Sequence, residues 1–200
     1  MRPTTRLMLI LLLVTALLTS GNVSYGQTSG EKQNAGLAKT GFVITEQDVL
    51  DAQKAWGEGV VRIGKIYAEK GDYKTAASNH IDELYGYNLG KVLFKPTLAS
   101  QVEFRTDKEG ALSYFVAGNP KYAEDHGFAI KPWSMVRWES TGIIIKGNMA
   151  IAMGIYYFTP ASGDGELKVE YSFAYTRDEQ GILRIIMHDS HLPYHPGENH

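Results

Sequence analysis

From Met135 onward four β-rich runs follow one another almost without a break, and nothing in this chain constrains its fold more. They are Met135 to Lys146, Met149 to Thr159, Leu167 to Arg177 and Ile182 to His191, joined by Lys146-Gly-Asn148, Ser162-Gly-Asp-Gly165 and Asp178-Glu-Gln-Gly181. Gly, Asn and Asp at such joints suit hairpin turns, so successive runs are expected to pair antiparallel. Gly142 and Gly154 fall inside two of the strands, where glycine often marks a bulge or a sharp curve. The meander is therefore expected to bend strongly.

A bent sheet needs a filling for its concave side, and the region before it supplies helices. Thr45-Glu-Gln-Asp48 reads as a helix start, with Thr45 as the cap and acidic residues in the first turn. Val49, Ala52, Trp56, Val60, Ile63 and Tyr67 then recur at three- and four-residue steps in one apolar stripe ending near Gly71. Gly57 and Gly59 interrupt this helix at about 1 kcal/mol each relative to Ala, which suggests close packing against another backbone. Asp72 starts a shorter helix through Leu84, with Ala77, Ile81 and Leu84 inward and His80 beside them as a hydrogen-bonded structural histidine. Tyr85 to Gly90 is turn-like. Short strands are expected at Val92 to Phe94 and Gln101 to Phe104, and Thr106-Asp-Lys-Glu109 is a capping box for a helix through Ala117 with Leu112, Phe115 and Val116 inward. Helices first and a meander last give the α+β class: a cone-shaped roll in which a strongly bent antiparallel sheet wraps a long N-terminal helix. The open end of such a cone is a natural small-molecule site.

The chain has 200 residues, but its beginning is not part of this domain. Arg2 and Arg6 precede an apolar run from Leu7 to Leu18, and Ser24-Tyr-Gly26 offers small residues for cleavage before Gln27. Residues 1–26 therefore read as a secretory signal, the apolar run being shorter than the roughly 20 residues of a membrane span. The product is expected to be exported, periplasmic or secreted, and free of the membrane once the signal is cleaved. Residues 27–41 are polar and read as a flexible leader. Residues 42–196 read as one domain, with a short tail at 197–200. There is no Cys, which removes disulfides and thiolate metal sites. A net charge of −2 with scattered Lys and Arg argues against nucleic acid as a partner.

The last strand changes character where it ends, in Ile186-Met-His-Asp-Ser-His191. Strand alternation puts Ile186, His188 and Ser190 on one face and Met187, Asp189 and His191 on the other. Together with "LYGYNLGKVLFKPT", "ALSYFVAGNP", "AIAMGIYYFT", "KVEYSFAY" and "LRIIMHDSHLPY", this ending resembles the iota class of carbonic anhydrases. That class lies within the nuclear transport factor 2-like (SnoaL-like) superfamily, which also holds ketosteroid isomerase and the association domain of calcium/calmodulin-dependent kinase II. The class carries His-His-Ser-Ser where this chain has His188-Asp189-Ser190-His191, so the first His and first Ser are kept and the second and fourth positions differ.

The resemblance implies reversible hydration of carbon dioxide to bicarbonate by a carbonate dehydratase. It implies His188, Ser190, Tyr114 and Thr97 as the catalytic set. Thr97, Tyr114 and Ser190 would hold water and bicarbonate, with Phe115, Ile186, Phe94 and Tyr156 or Tyr157 as an apolar wall. His188 would serve as base or proton relay, because an imidazole exchanges protons near neutrality. The class has been described both with and without metal. A metal-free site is expected, since His188 and His191 point to opposite faces and His195 lies beyond Pro193, with zinc or manganese as the alternative. The superfamily habit also implies a homodimer. The competing readings are a non-catalytic binding or assembly module and a ketosteroid-isomerase-like enzyme, for which Glu103 and Glu170 are the available bases.

Overall fold

A computed structural model describes residues 42–197. The expected export signal and leader lie outside the described residues, as does the end of the tail. Helix α1 (Glu46–Ala68) is followed by α2 (Tyr73–Leu84), a short β1 (Leu93–Lys95) and α3 (Lys108–Val116). Two 3-10 turns, Pro120–Tyr122 and Phe128–Ile130, lead into β2 (Trp133–Lys146), β3 (Met149–Pro160), β4 (Leu167–Arg177) and β5 (Leu183–His191). The four long strands form the expected antiparallel meander, and the sheet order is β1-β5-β4-β3-β2. The sheet is strongly curved and does not close on itself.

The curvature has local causes. At β2–β3, Ser140 pairs with Gly154 and Gly142 with Met153, so Thr141 is an extra residue bulged out of the ladder. A Cβ on Gly154 would run into the Glu139 carbonyl, which is why the strand can bend there only with glycine. A second irregularity lies in β5, where Ala174 pairs with Met187 but Tyr175 with Ile185, leaving Ile186 unpaired.

The sheet departs from expectation at its edge. β1 runs parallel to β5, through Leu93↔Met187, Phe94↔His188 and Lys95↔Asp189. No hairpin joins these two strands, so no turn dictates their direction, and Pro96 ends the pairing after three residues. The strand expected at Gln101 to Phe104 does not form. The backbone N–H groups of Ser100, Gln101 and Val102 instead donate to the Glu124 carboxylate at 2.8, 2.9 and 2.8 Å, and one anion does what a neighbouring strand would have done.

Thr45 and Asp48 close the expected capping box on α1, with Asp48 N–H to Thr45 Oγ1 at 3.2 Å and Thr45 N–H to Asp48 Oδ2 at 2.7 Å. The helix lies in the concave side of the sheet, where Trp56 meets the rings of Tyr156, Phe158 and Phe173. Val49, Val60 and Ile63 are fully buried beside it, while Tyr67 at the end of the stripe is 44% exposed. The α1 glycines are tight against side chains rather than backbone. A Cβ on Gly57 would lie 3.0 Å from Val136 Cβ, and one on Gly59 would overlap the His80 imidazole. Backbone approach occurs one turn later, where a Cβ on Gly64 would sit 2.7 Å from the Lys131 carbonyl. His80 is 1% exposed, and its Nε2 has no hydrogen-bond partner among the described residues, so it is packed rather than hydrogen-bonded there. The cap of α3 is Asp107, which accepts from Gly110 N–H at 2.8 Å, instead of Thr106 one residue earlier; aspartate is the better N-cap of the two.

Candidate active site

Three adjacent strands set one residue each in a row across the sheet. The pairings Phe94↔His188 and Phe173↔His188 place the His188 imidazole between two phenyl rings. Their centroids lie 4.8 and 4.0 Å away, nearly parallel to it, and the Trp56 ring stands edge-on at 5.4 Å. His188 is 2% exposed. Burial pushes its pKa down to about 3, because an apolar surround disfavours the imidazolium. Near neutral pH the ring therefore rests as the neutral imidazole rather than as the imidazolium.

Its hydrogen bonds assign the tautomer. Trp56 Nε1–H donates to the Tyr85 hydroxyl at 2.9 Å, and that hydroxyl lies 2.9 Å from His188 Nδ1. Indole nitrogen can only donate, so the Tyr85 oxygen accepts from Trp56, and the Tyr85 proton, with no other acceptor among the described residues, goes to Nδ1. Nε2 then carries the imidazole proton and donates to the Tyr156 hydroxyl at 3.3 Å. Burial pushes the Tyr156 pKa up, opposed in part by the neighbouring hydroxyls of Ser190 and Thr97. Ser190 Oγ and Thr97 Oγ1 are hydrogen-bonded at 2.9 Å.

Tyr114 completes the group. It is 6% exposed, and its hydroxyl has no hydrogen bond of good geometry among the described residues. Burial raises its pKa, while Thr97 and the Leu98 backbone beside the hydroxyl act in the opposite sense. Tyr114 also forms one wall of a cavity of about 50 Å³ shared with Leu98, Asp125, His126, Phe128 and Lys131. Tyr114, Tyr156 and Ser190, all buried, and the half-buried Thr97 thus make a cluster of hydroxyls, with His188 behind it.

The remaining expected residues divide clearly. Phe115 is fully buried and stacks on Phe94, one layer behind the hydroxyls. Ile186 does not share the face of His188, because the bulge at that position breaks the alternation; it lies half-buried beside Gly86, and Ile185 enters the core in its place. Tyr156 is the inward member of its pair. Tyr157 points out, with the Arg137 guanidinium 3.9 Å above its ring and its hydroxyl on Glu139 at 3.0 Å. Asp189 and His191 do face away from the cluster, and His191 Nε2 meets Glu170 Oε2 at 3.1 Å on the outer side of the sheet. Glu170 is therefore outside the site and Glu103 is exposed, so neither can act as a buried isomerase base. Sequence reasoning missed Tyr85 and Trp56 as partners of His188. It also left Tyr156 undecided, although the buried Ala150, Ala152, Tyr156 and Phe158 share one strand parity.

The family model of metal-independent carbonic anhydrase matches residues 47–192. The chain is also 44% identical over 197 residues to the metal-independent carbonic anhydrase of Nostoc sp. (strain PCC 7120), covering 93% of this chain and 95% of that one. The chain belongs to the metal-independent carbonic anhydrase family. A crystal structure of the iota-carbonic anhydrase from a cyanobacterium, complexed with bicarbonate, superposes with a TM-score of 0.75 at 44% identity, over 78% of this chain and 96% of that chain. A putative dehydratase of the NTF2-like family from Streptomyces avermitilis aligns at 13% identity with a TM-score of 0.48, over 74% and 96%. For this carbonic anhydrase family member the zinc or manganese alternative finds no donor set. Among the described residues no group of three or more His, Asp or Glu is placed to hold a metal ion, and both ring nitrogens of His188 are already engaged by tyrosines.

Proposed function

We propose that this chain hydrates carbon dioxide reversibly to bicarbonate without a metal, with the attacking water held by Thr97, Ser190 and Tyr114. The observation that carries the reading is the 2.9 Å Thr97–Ser190 hydroxyl pair, formed between a half-buried Thr97 and a buried Ser190 next to Tyr156 and Tyr114 and backed by aromatic rings. In hydration the water oxygen bonds to the carbon of carbon dioxide as one of its O–H bonds breaks. The proton passes to a hydroxyl oxygen of the cluster, which gives up its own proton in turn. Negative charge gathers on the carbon dioxide oxygens, and fixed hydroxyl donors in a dry site stabilise it by about 3 kcal/mol each. Phe94 and Phe115 keep bulk water from competing.

His188 acts here as a positioning residue. With Nε2–H donated to Tyr156, the Tyr156 proton is directed at the Ser190–Thr97 pair, which fixes the direction of hydrogen bonding across the cluster. Stopped-flow hydration assays on chelator-treated protein test the reading: activity should persist undiminished, and no hydration with or without added zinc or manganese would leave a binding module as the function.

Two further proposals concern the context. The Arg2 to Gly26 pattern supports export with cleavage near Gly26, and mass spectrometry of the mature protein that still finds Met1 to Leu18 attached would refute it. Exposed apolar residues on the convex side of the sheet support a homodimer, as argued below.

A further inference from the structure

Each hydration event releases one proton, and that proton must reach solvent. The His188 side of the cluster offers no exit, because Tyr85 and Trp56 beyond it are 1% and 2% exposed and Trp56 can only donate. On the other side lies the cavity of about 50 Å³ that Tyr114 shares with Asp125 and His126. That is room enough for water, which in a buried site takes two to four polar partners. Two buried polar atoms of the lining residues lack a hydrogen bond of good geometry among the described residues: the Tyr114 hydroxyl, which has Thr97 beside it, and Asp125 Oδ2. The other Asp125 oxygen is fixed by Arg105 Nη2 at 2.8 Å. His126, next in the chain, is exposed.

We propose that water in this cavity carries the hydration proton from Tyr114 past Asp125 to the exposed imidazole of His126, which passes it to buffer. The proposal rests on the carbonic anhydrase reading above. Thr97 gives its hydroxyl proton to the Tyr114 oxygen as Tyr114 gives its own to the cavity water, so no phenolate forms. The water passes a proton to a His126 ring nitrogen with Asp125 Oδ2 orienting it, and a buffer base then removes a proton from the imidazolium. Asp125 lines the same cavity as Tyr114, which puts its carboxylate on the path. The other charges at the cavity do not compete for this role. Glu124 is occupied by the 100–102 backbone amides, and the Lys131 ammonium sits 5.9 Å from the Phe128 ring centre.

An exposed proton acceptor limits turnover, not the interconversion of carbon dioxide and bicarbonate. His126→Ala should therefore lower kcat of hydration in dilute buffer by about tenfold or more. That is less than the 10²–10⁴ of a general acid–base group, because water alone can pass some protons out. The ratio kcat/KM and the rate of oxygen-18 exchange between carbon dioxide and bicarbonate should stay unchanged, and added imidazole should restore kcat. His195→Ala, which removes an exposed histidine beyond the last strand, should change nothing. A His126→Ala protein with wild-type kcat in dilute buffer overturns the proposal, as does a loss that imidazole leaves in place or that lowers kcat/KM in parallel. Absence of hydration by the unmodified protein is a different outcome: it refutes the carbonic anhydrase reading, and the proton path with it.

Discussion

Burial decides what His188 can do, and the consequence can be measured. With its pKa pushed down to about 3, the ring should remain neutral as pH falls from 8 to 5, with the proton on Nε2. Nitrogen-15 NMR of the histidine rings checks this, and a His188 signal titrating near pH 6 to 7 would refute it. The hydroxyls are the more sensitive targets. Ser190→Ala or Thr97→Val should reduce kcat by on the order of 10², whereas Asp189→Ala, on the outer face, should have little effect in the same stopped-flow assay. Alternation alone made His188 and Ser190 legible as a pair, because no bulge falls between them. It failed at Ile186, since Arg184-Ile-Ile-Met187 offers apolar residues in either register and only the pairing with β4 reveals the extra one. Tyr85 was hidden for a different reason. It sits in a Tyr-Gly-Tyr-Asn stretch that reads as a turn, yet its ring turns inward to a residue 103 positions away, and local pattern carries no trace of such a contact.

Elements in this protein are held together at a few tight contacts that substitutions can isolate. Gly59 on α1 and His80 on α2 are one such pair, since any Cβ at 59 overlaps the imidazole. Gly59→Ala should cost about 1–3 kcal/mol by overpacking, read from thermal or urea unfolding. In a His80→Ala background the same change should cost little or even stabilise, since Ala is the better helix former, and equal costs in both backgrounds would refute the contact as their cause. The 100–102 loop hangs from Glu124, whose pKa is held down to about 2, chiefly by the Val102 N–H. A carboxylate with a lowered folded pKa contributes stability that is present above its unfolded value, about 4.3, and lost as pH falls toward 2. Glu124→Gln should therefore weaken the protein at pH 7 and flatten its loss of stability between about pH 4.5 and 2. Long strands and α1 were legible because their periodicities run for ten residues or more. The strand expected at Gln101 to Phe104 was not, because a single carboxylate 22 to 24 residues on accepts the hydrogen bonds of the 100–102 amides.

Across the molecule, the site faces the concave side of the sheet and the apolar surplus lies on the convex side. Ile144, Met149, Ile151 and Met153 are 60%, 40%, 46% and 56% exposed, and they alternate with the buried Ala150, Ala152 and Gly154 along β3. Ile144 pairs directly with Ile151, so these side chains form one patch on β2 and β3. A contiguous apolar patch is costly to leave in water. Two copies meeting through it about a two-fold axis would cover it isologously, each patch against its own equivalent. Light scattering at micromolar concentration should give twice the mass of one chain, and Ile151→Glu combined with Met153→Glu should give one. Thr97, Tyr114, His188 and Ser190 all come from a single chain and point to the other side of the sheet, so the monomeric variant should keep the hydration rate per chain. A single-chain mass for the unmodified protein would refute the dimer, and a folded monomeric variant without activity would mean that the second copy completes the site.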